Sequence, residues 1–585
     1  MLSRKRLAAV TNIHKEPELT TSERTEAVAS FVQQRIWLHE QLYFHSSDLS
    51  VYNILVPLIV KQGSLSVERI RSILLTLIEQ HSVLRTAVRF NPQSNQIEQY
   101  IQAATDEIYS FQHSRNINTS ELLDRLLIKE STGKIFDFEK GKVLRCHIVQ
   151  RQDNNTDGLL YENDIIALSF HHIAFDNSSV MAFIKAFKQI DLANEQQPIL
   201  SVPQYIDFAI YEQALLADTN IDSKMNKARR YWSNLMNGYD WNRIQHLVPH
   251  ENKTDQVRSG RAYSTAFSFD ENIVDAMISF ASSNNLTMFS LSLACYYVFL
   301  YKLINMDEDD LCVGGVIANR SKQEMKDMIG MFVNLVPYRI KMEANNSFEY
   351  LIRKIQQLSS DVLEHSCLPY QHIINSQDQQ NHQVLPSTVF QYESLVSSVT
   401  AKNNIESSTT EGNYVLAVYF DRDRSHGNGV AAFDLTFTIS HDYHARTTEC
   451  FLDCSIDIFQ TQTNVDLLAN RFQHMLKQLF SSSSSVIHEP IYKLSIVLPT
   501  EQELIHQMNN TDISASYSWP NTVHECFVQQ AQLYPQKLAL ELDGQSLTYS
   551  ELLYSVYCLT NYLIDKIQPN EIICQCVERS FEMII

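Results

Sequence analysis

Hydrophobic residues recur along this chain with two different periods, which predicts a mixed α/β protein. Val51–Val60 and Asp164–Phe170 are apolar, β-rich runs of the kind that form strands. In Ser66–Glu79, apolar residues return every three or four positions, and Ser66 is placed to cap a helix. From Val180 to Phe187 the apolar positions follow i, i+3, i+4 and i+7, which predicts one face of a second helix.

The same two periods continue through the rest of the chain. They predict further helices at Gln33–Leu42, Asp207–Ala217, Lys227–Met236, Asn272–Ser283, Phe289–Leu303 and Val465–Phe480. They predict further strands at Val83–Phe90, Leu311–Ile317, Phe433–Ile439 and Thr448–Ile456. A last group follows a polar boundary, with a helix at Val523–Tyr534, a strand at Leu538–Leu542 and a helix at Thr548–Leu563.

Polar segments divide these elements into larger parts. Residues 1–27 are polar and irregular, which predicts a loose leader. The polar stretch Asn194–Pro203 is expected to cross between two lobes, and the serine run Ser481–Ser485 to be a flexible connector. A domain boundary is predicted at residues 499–520, before a last part that spans residues 521–585.

Composition excludes several classes of function. The chain has 585 residues, 44% of them hydrophobic, and a formal net charge of −20. This charge argues against nucleic acid as a partner, because a phosphate backbone must be met by clustered Lys and Arg. The sequence has no signal-peptide pattern and no run near the roughly 20 apolar residues of a membrane span. Its ten cysteines form no CxxC pair, so we expect free thiols, no zinc site and a cytoplasmic location.

The candidate chemistry lies in His171-His172-x-x-x-Asp176, between a predicted strand and a predicted helix. Neighbouring side chains of a strand point to opposite faces, so the two histidines are not expected to share a metal ion or a substrate. We expect His171 to be structural and His172 to face a cleft, where it can take or position a proton near neutral pH. Asp176 is expected to pair with an arginine or to cap the helix, both architectural roles.

The residues after Asp176 add a second element to this chemistry. Asn177 and Ser178 are expected to present backbone N–H groups at a helix start, where these groups can stabilise negative charge developing on an oxygen. Taken together, the residues from His171 to Ser178 indicate an acyl transferase.

The segment from His171 to Asn177 also resembles the HHxxxDG motif of condensation domains from nonribosomal peptide synthetases. Other blocks of that family occur in the same order. They are Ser30–Leu38 (SxAQxRxWxL), His81–Thr86 (RHExLRT), Tyr205–Ala209 (YxDFA), Ile329–Asn334 (IGxFVN), Leu368–Tyr370 (YPF) and Phe433–Leu435 (FDL). The resemblance covers about residues 28–500, and several blocks in one order are far more specific than any single block.

The resemblance implies two chloramphenicol-acetyltransferase-like lobes, residues 28–200 and 201–498, that form a V-shaped pseudo-dimer. It implies amide formation between an acyl or peptidyl thioester and an aminoacyl thioester, presented by donor and acceptor peptidyl carrier proteins. The 4′-phosphopantetheine would belong to these partners, and no cofactor or metal would be bound directly. His172 would stand at the reaction centre and Asp176 would pair with Arg320, while Arg85 and Asn334 would have structural roles.

The chain also departs from the family pattern. Asn177 replaces the usual glycine of the HHxxxDG motif, and we expect the turn to survive because Asn tolerates left-handed backbone angles. The family resemblance also implies an active-site tunnel between the lobes, and the Asn177 side chain would narrow this tunnel if it pointed inward. Ser82 replaces a glutamate, which is expected to weaken a structural charge pair.

The last part of the chain has its own resemblance. The segment Leu547–Leu552 resembles the first block of AMP-binding adenylation domains, Leu-Thr-Tyr-x-Glu-Leu. The phosphate loop, the amino-acid pocket and the C-terminal lysine of that family would all follow later, so we expect no adenylation by this chain.

Two alternatives to an active condensation domain remain open at this point. One is a relative that binds carrier proteins without catalysis, which Asn177 and the imperfect blocks would fit. The other is a stand-alone acyltransferase that uses a soluble acyl thioester, since that superfamily shares an HxxxD centre. The DFGWG segment of plant-type acyltransferases does not occur in this sequence.

Overall fold

The computed structural model describes residues 16–584, apart from 152–156, 193–201, 241–256, 305, 307–308, 375–385, 396–404, 410–411, 420–428, 482–484, 510–521, 543, 568–576 and 578–579. The chain divides between Leu498 and Pro499 into two compact units. Most of the predicted crossover at Asn194–Pro203, the centre of the serine run and residues 510–520 of the predicted linker lie outside the described residues.

Helices and strands alternate through the larger unit, as the hydrophobic pattern predicts. Its strands are β1 (Glu26–Val28), β2 (Asn53–Gly63), β3 (Leu65–Ser66), β4 (Thr86–Asn91), β5 (Gln96–Ile101), β6 (Ser110–Ser114), β7 (Leu144–Val149), β8 (Leu159–Leu160), β9 (Ile165–His171), β10 (Ala262–Ser268), β11 (Asp310–Ile317), β12 (Asn334–Lys341), β13 (Thr388–Leu395), β14 (Ile405–Thr409), β15 (Gly412–Val418), β16 (Leu435–Asp442) and β17 (Thr447–Ser455). Its helices are α1 (Phe31–Tyr43), α2 (Val67–Gln80), α3 (Ser120–Thr132), α4 (Asn177–Leu192), α5 (Tyr205–Leu216), α6 (Lys224–Leu235), α7 (Glu271–Ser283), α8 (Met288–Leu303), α9 (Gln323–Lys326), α10 (Phe348–Glu364), α11 (Tyr370–Ile374) and α12 (Gln462–Phe480).

The first large sheet positions the histidine pair. Its strand order is β14-β15-β2-β9-β7-β6, with β9 between antiparallel β2 and β7. Every residue of β9 is buried, which is why this strand reads as a continuous apolar run rather than an alternating one. Helices α2 and α4 pack together beside the sheet, and residues such as Ile73 and Phe183 join its core. The histidines therefore stand at the end of a strand held on both sides.

The second large sheet has the strand order β10-β17-β16-β13-β11-β12. Its pairs are antiparallel except at β11–β13 and β13–β16, which are parallel. Helix α8 is almost wholly buried against this sheet and shares a core with α7, α10 and α12. The resulting architecture is mixed α/β, with helices packed on two sheets.

The two lobes do not divide cleanly at the predicted boundary, residue 200, because later segments of the chain join the sheet and the core of the first lobe. Strand β15 pairs with β2 in the first sheet, although it lies more than 200 residues beyond that boundary. Tyr205 and Phe208 of α5 pack into the core of the first lobe, as do Met325 and Phe332. The lobes exchange segments because open strand edges and apolar side chains are satisfied by the nearest partner in space, whatever its position in the chain.

Three local predictions are also corrected. The leader is not loose in its described part, because Leu19 is buried in the core and Ser22 donates to Asp207 Oδ1 through both N–H (2.8 Å) and Oγ (2.5 Å). The predicted strand Val83–Phe90 begins as a 3₁₀ turn, Ser82–Arg85, and becomes extended only at Thr86. The predicted linker opens with a helix, α13 (Pro499–Met508).

The smaller unit continues with α14 (Val523–Leu533), a β18–β19 hairpin (Leu538–Leu542 and Gln545–Thr548) and α15 (Tyr549–Leu563). The Thr548 hydroxyl accepts from the Glu551 amide and the Glu551 side chain accepts from Thr548, which forms a capping box at the start of α15. The two helices and the strand Leu538–Leu542 agree with the sequence prediction, whereas the second strand of the hairpin, Gln545–Thr548, was not predicted.

Among the described residues, no single helix has the length and apolarity of a membrane span. The pair α7 and α8 reaches that length and composition only when taken together across a bend of 115°.

Candidate active site

The two histidines face different environments at the end of β9. His171 is the last residue of the strand and is buried, whereas His172 opens the following turn and is half-buried. The backbone N–H of His172 donates to the carbonyl of Tyr52 at 2.8 Å, so the turn stays attached to the chain that enters β2. The two side chains thus differ in burial, although both rings lie near the ring of Tyr52, with centroids 6.4 Å and 6.1 Å from it.

The ring of His172 is arranged to act as an acceptor. Its Nδ1 lies 3.1 Å from the carbonyl oxygen of Phe175. Since a carbonyl can only accept, Nδ1 carries the proton and Nε2 carries the lone pair. Burial, and to a smaller extent the neighbouring His171, lower the pKa of His172 to about 4. At neutral pH the ring is therefore uncharged, and no described residue makes a hydrogen bond with Nε2.

Asp176 holds the turn and does not face a substrate. It is fully buried, and its Oδ1 accepts from the Ser179 amide (2.8 Å), the Ser179 hydroxyl (2.8 Å) and Arg320 Nη2 (2.7 Å). Its Oδ2 accepts from the amide of Phe332 at 3.1 Å. The carboxylate thus caps α4 and pairs with Arg320, so both architectural roles expected of it occur together.

Arg320 connects this turn to the IGxFVN block. Its Nη1 donates to the carbonyls of Met325 (2.5 Å) and Met328 (2.6 Å), and its guanidinium lies 4.2 Å from the centre of the Phe332 ring. A planar guanidinium satisfies several acceptors at fixed angles, which a lysine does not. The pairing of Arg320 with Asp176 predicted from the family resemblance is confirmed.

Three sequence blocks meet at Tyr205. Its hydroxyl contacts the Ser30 hydroxyl at 2.8 Å and donates to the carbonyl of Met331. A Cβ on Gly330 would overlap the Tyr205 ring, so this glycine is required by close packing. The opening block, the YxDFA block and the IGxFVN block therefore form one support for the histidine turn.

Asn177 does not need the left-handed conformation that we considered for it. It is the first residue of α4, it is exposed, and its φ is not among the positive values found in the described chain. Helical backbone suits asparagine as well as glycine at this position, so the replacement carries no backbone strain. Ser178 is also exposed at this helix start, and a role for either amide in stabilising negative charge remains a prediction.

The other two predicted residues have structural surroundings. Asn334 donates through Nδ2 to the carbonyls of Ser366 (2.9 Å) and Leu368 (2.8 Å), and its Oδ1 accepts from the Tyr370 amide (3.2 Å). This places the YPF-like block against β12.

Arg85 donates to the carbonyl of Ile78 at 3.3 Å, and its buried Nε has no partner among the described residues. Ser82, which replaces a glutamate of the family pattern, donates through its amide and its hydroxyl to Gln204 Oε1. The expected charge pair is therefore absent from the described residues, and burial lowers the pKa of Arg85.

Sequence reasoning missed the residues that surround the pair on its other sides. Tyr52, His39 and Glu40 all contact one of the two histidines directly or through one hydrogen bond. Nothing in the sequence marks these residues as part of the site. His39 and Glu40 lie on α1, and polar residues on such a helix are usually exposed. In the described part of the chain, no cluster of His, Cys, Asp or Glu is arranged to hold a metal ion.

A family model described as the condensation domain matches residues 23–505. The chain belongs to the condensation-domain family. A linear gramicidin synthase of Brevibacillus parabrevis is 26% identical over 567 residues, which is 95% of this chain and 7% of that protein. Tyrocidine synthase 2 of the same organism is 24% identical over 562 residues, which is 95% of this chain and 14% of that protein. This condensation-domain chain therefore spans a small part of the curated relatives that it matches.

Several solved structures share the fold of this chain. The X-domain from teicoplanin biosynthesis has a TM-score of 0.67 at 19% identity, covering 82% of this chain and 100% of that one. The first condensation domain of the calcium-dependent antibiotic synthetase has a TM-score of 0.58 at 12% identity, covering 81% and 99%. A four-domain nonribosomal peptide synthetase bound to AMP and glycine has a TM-score of 0.64 at 17% identity, covering 95% and 40%. These likenesses establish the chloramphenicol-acetyltransferase-like fold.

Proposed function

We propose that this condensation domain forms an amide between a donor acyl or peptidyl thioester and an acceptor aminoacyl thioester, each carried on the phosphopantetheine arm of a carrier protein. The observation that carries the proposal is the state of His172. Its ring is neutral, its Nδ1–H is held by the Phe175 carbonyl, and its Nε2 lone pair is not used by a described residue. That is the form a histidine needs to accept a proton or a hydrogen bond from an amine.

In the proposed reaction, the acceptor amine attacks the donor carbonyl carbon. A C–N bond forms and the C–S bond breaks, so the donor thiol leaves as thiolate. His172 Nε2 accepts the N–H of the attacking amine and orients its lone pair, and the proton released by nitrogen ends on the departing sulfur. Holding two reactants in line supplies a large part of such a rate enhancement. Asp176 and Arg320 act by keeping the turn rigid and do not exchange protons.

The test is amide formation by the full chain with donor and acceptor carriers loaded with acyl and aminoacyl groups of differing size and charge. We expect product with the wild-type chain and a loss of about 10²- to 10⁴-fold in the His172→Ala variant with its fold intact. The matched control is His45→Ala, because His45 is exposed near the end of α1. Equal rates for both variants would contradict the role of His172.

The same experiment separates the two alternatives. A stand-alone acyltransferase would accept soluble acyl thioesters as readily as carrier-bound ones. A non-catalytic docking relative would bind carriers but yield no product with any loaded pair, before or after substitution of His172.

We further propose that residues 521–585 are the beginning of an adenylation domain. Two observations support this. The alignment with the linear gramicidin synthase extends over 567 residues, beyond the match to the condensation domain at 23–505. The four-domain synthetase covers 95% of this chain, whereas the X-domain covers 82%. A cytoplasmic location remains a prediction that cell fractionation would check.

A further inference from the structure

Helix α1 approaches the histidine pair with two consecutive residues, His39 and Glu40. Glu40 Oε2 lies 3.2 Å from His171 Nε2, and the Glu40 side chain is 14% exposed. His171 Nδ1 lies 3.1 Å from the backbone N–H of Ile173, which can only donate. Nδ1 is therefore unprotonated, and the ring proton sits on Nε2, the ring nitrogen nearer to the carboxylate. The Ile173 amide thus selects this tautomer, and the Glu40 carboxylate stabilises it by electrostatic attraction rather than by an aligned hydrogen bond.

His39 acts on the other side of the pair through Tyr52. The Tyr52 hydroxyl is 2.5 Å from His39 Nδ1, and the Tyr52 ring meets the His172 ring edge to face at 6.1 Å. Burial lowers the pKa of His39 well below its usual range and raises the pKa of Tyr52, so a phenol donates to a neutral imidazole. The backbone carbonyl of Tyr52 also accepts from the His172 amide at 2.8 Å.

This arrangement crosses between the lobes. The His39 ring stacks on Phe433, with centroids 6.3 Å apart and planes at 25°. Phe433 belongs to the FDL block, which leads into β16 of the second sheet. The position of the His39 ring therefore depends on how the second lobe packs against α1.

We infer that Glu40, and Tyr52 together with His39, are positioning residues that hold the orientation of the histidine pair for the amide-forming step. This inference rests on the proposed function, because it assigns these residues to the same reaction. Glu40 acts through His171 and the turn that follows it, whereas Tyr52 acts on the His172 ring and backbone directly. An error of about 1 Å in such a group can cost a reaction about 10²-fold.

A cavity beside Glu40 allows a sharp test. It has a volume of about 180 Å³, and its lining includes Glu40, Gln41, Lys134, Phe136 and His171. The Glu40 Oε2 atom has no hydrogen-bond partner with good geometry among the described residues. A small carboxylate such as formate can therefore reach the space that the Glu40→Ala substitution leaves next to His171.

The experiment compares Glu40→Ala, Glu40→Gln and Tyr52→Phe in the full chain by kcat, KM and the ¹⁵N spectrum of the histidine rings. For Glu40→Ala we expect kcat to fall by about 10- to 100-fold with KM within about twofold, and the His171 Nε2 signal to shift because the ring loses the carboxylate next to it. Formate should restore part of kcat, whereas chloride at equal ionic strength should not. Glu40→Gln keeps an acceptor oxygen and should retain most of the activity.

For Tyr52→Phe we expect a smaller loss in kcat, about 3- to 10-fold, because the ring contact with His172 stays and only the bond to His39 is removed. The matched control is Gln41→Ala. Gln41 follows Glu40 on α1 and lines the same cavity but is exposed, so its loss should change neither the rates nor the spectrum.

Wild-type kcat and histidine spectra in Glu40→Ala and Tyr52→Phe would overturn the inference. If Glu40→Ala fails to fold, Glu40→Leu, which removes the carboxylate but fills the space, and Tyr52→Phe still decide it through kcat and the spectrum. If the wild-type chain forms no amide with any loaded pair, the proposed function fails. The histidine spectrum then still decides whether Glu40 and Tyr52 hold the pair, because it needs no turnover.

Discussion

Arg320 Nη2 lies 2.7 Å from Asp176 Oδ1, although the two residues are 144 positions apart in the sequence. Both side chains are buried, at 8% and 0% exposure, and the pair joins the histidine turn of the first lobe to the segment that precedes β12. Around this pair, hydrogen bonds from Ser179 and Phe332 complete the shell of the carboxylate. The integrity of the turn that carries His172 therefore depends on a residue from the second half of the chain.

Removal of the arginine should destabilise the protein strongly. We expect Arg320→Ala to lower the free energy of unfolding by about 3–5 kcal/mol, because Asp176 would remain buried without its cation. Urea denaturation followed by circular dichroism measures this change. The control is Arg353→Ala, whose ion pair with Glu349 is exposed and should contribute less than about 1 kcal/mol. If both variants lose the same small amount of unfolding free energy, and Arg320→Ala also keeps its activity, Arg320 does not stabilise the histidine turn.

His172 should titrate far below an ordinary histidine. Because burial lowers its pKa to about 4, its ring should stay neutral throughout the range from pH 5 to 8. The measurement is the pH dependence of the His172 ring signals in a ¹⁵N-histidine-labelled protein, assigned with His172→Gln. Exposed His45 serves as the internal reference. A His172 midpoint near 6.5 would contradict the proposed state of the base.

The lowered pKa of His172 also predicts how the stability of the protein depends on pH. Between the unfolded pKa of about 6.5 and the folded value of about 4, the unfolded chain binds the extra proton on His172 and on His81. The part of the unfolding free energy that depends on these two histidines being neutral is therefore fully present above pH 6.5 and is lost as the pH falls toward 4. We expect the drop in unfolding free energy from pH 7 to pH 5 to be smaller in His81→Gln than in wild type. An unchanged drop would show that His81 is not buried in its neutral form.

Asn334 should be required for stability. Its side chain makes hydrogen bonds to the Ser366 and Leu368 carbonyls and to the Tyr370 amide, and it is itself buried. Each buried backbone group left without a partner costs about 1–3 kcal/mol, so we expect Asn334→Ala to lose at least about 2 kcal/mol. Asn346→Ala is the control, because among the described residues the Asn346 side chain forms a hydrogen bond only with exposed Glu343. Equal losses in urea denaturation would contradict the assignment.

Replacing Asn177 by the glycine of the family motif should change neither the stability nor the activity by much. Asn177 is exposed and begins α4 without a positive φ, so Asn177→Gly should change the unfolding free energy by less than about 1 kcal/mol. We also expect the rate of amide formation to change by less than about twofold, since the backbone needs no glycine here. A gain of about tenfold or more would mean that the asparagine side chain obstructs the substrate path.

Much of the secondary structure follows from the order of residues alone. The predicted helix at Ser66–Glu79 is present as Val67–Gln80 with Ser66 as its cap, and the apolar run before His171 is a buried strand. These elements are predictable because side-chain periodicity and capping are local properties. The 3₁₀ turn at Ser82–Arg85 and helix α13 were not predicted, because short apolar runs and polar stretches fit more than one local structure.

The sequence by itself determined many of the helices and strands, though not α3, α10 or α13, as well as the position of the histidine motif between a strand and a helix, and the family. Tertiary structure alone decided that β15 completes the first sheet, that Glu40 faces His171, and that Tyr52 carries the contact between His39 and His172. These contacts join segments that are distant in sequence, or they involve polar residues that belong to no recognisable motif. Their cause is the need of buried polar groups and open strand edges to find partners in space, which no local pattern records.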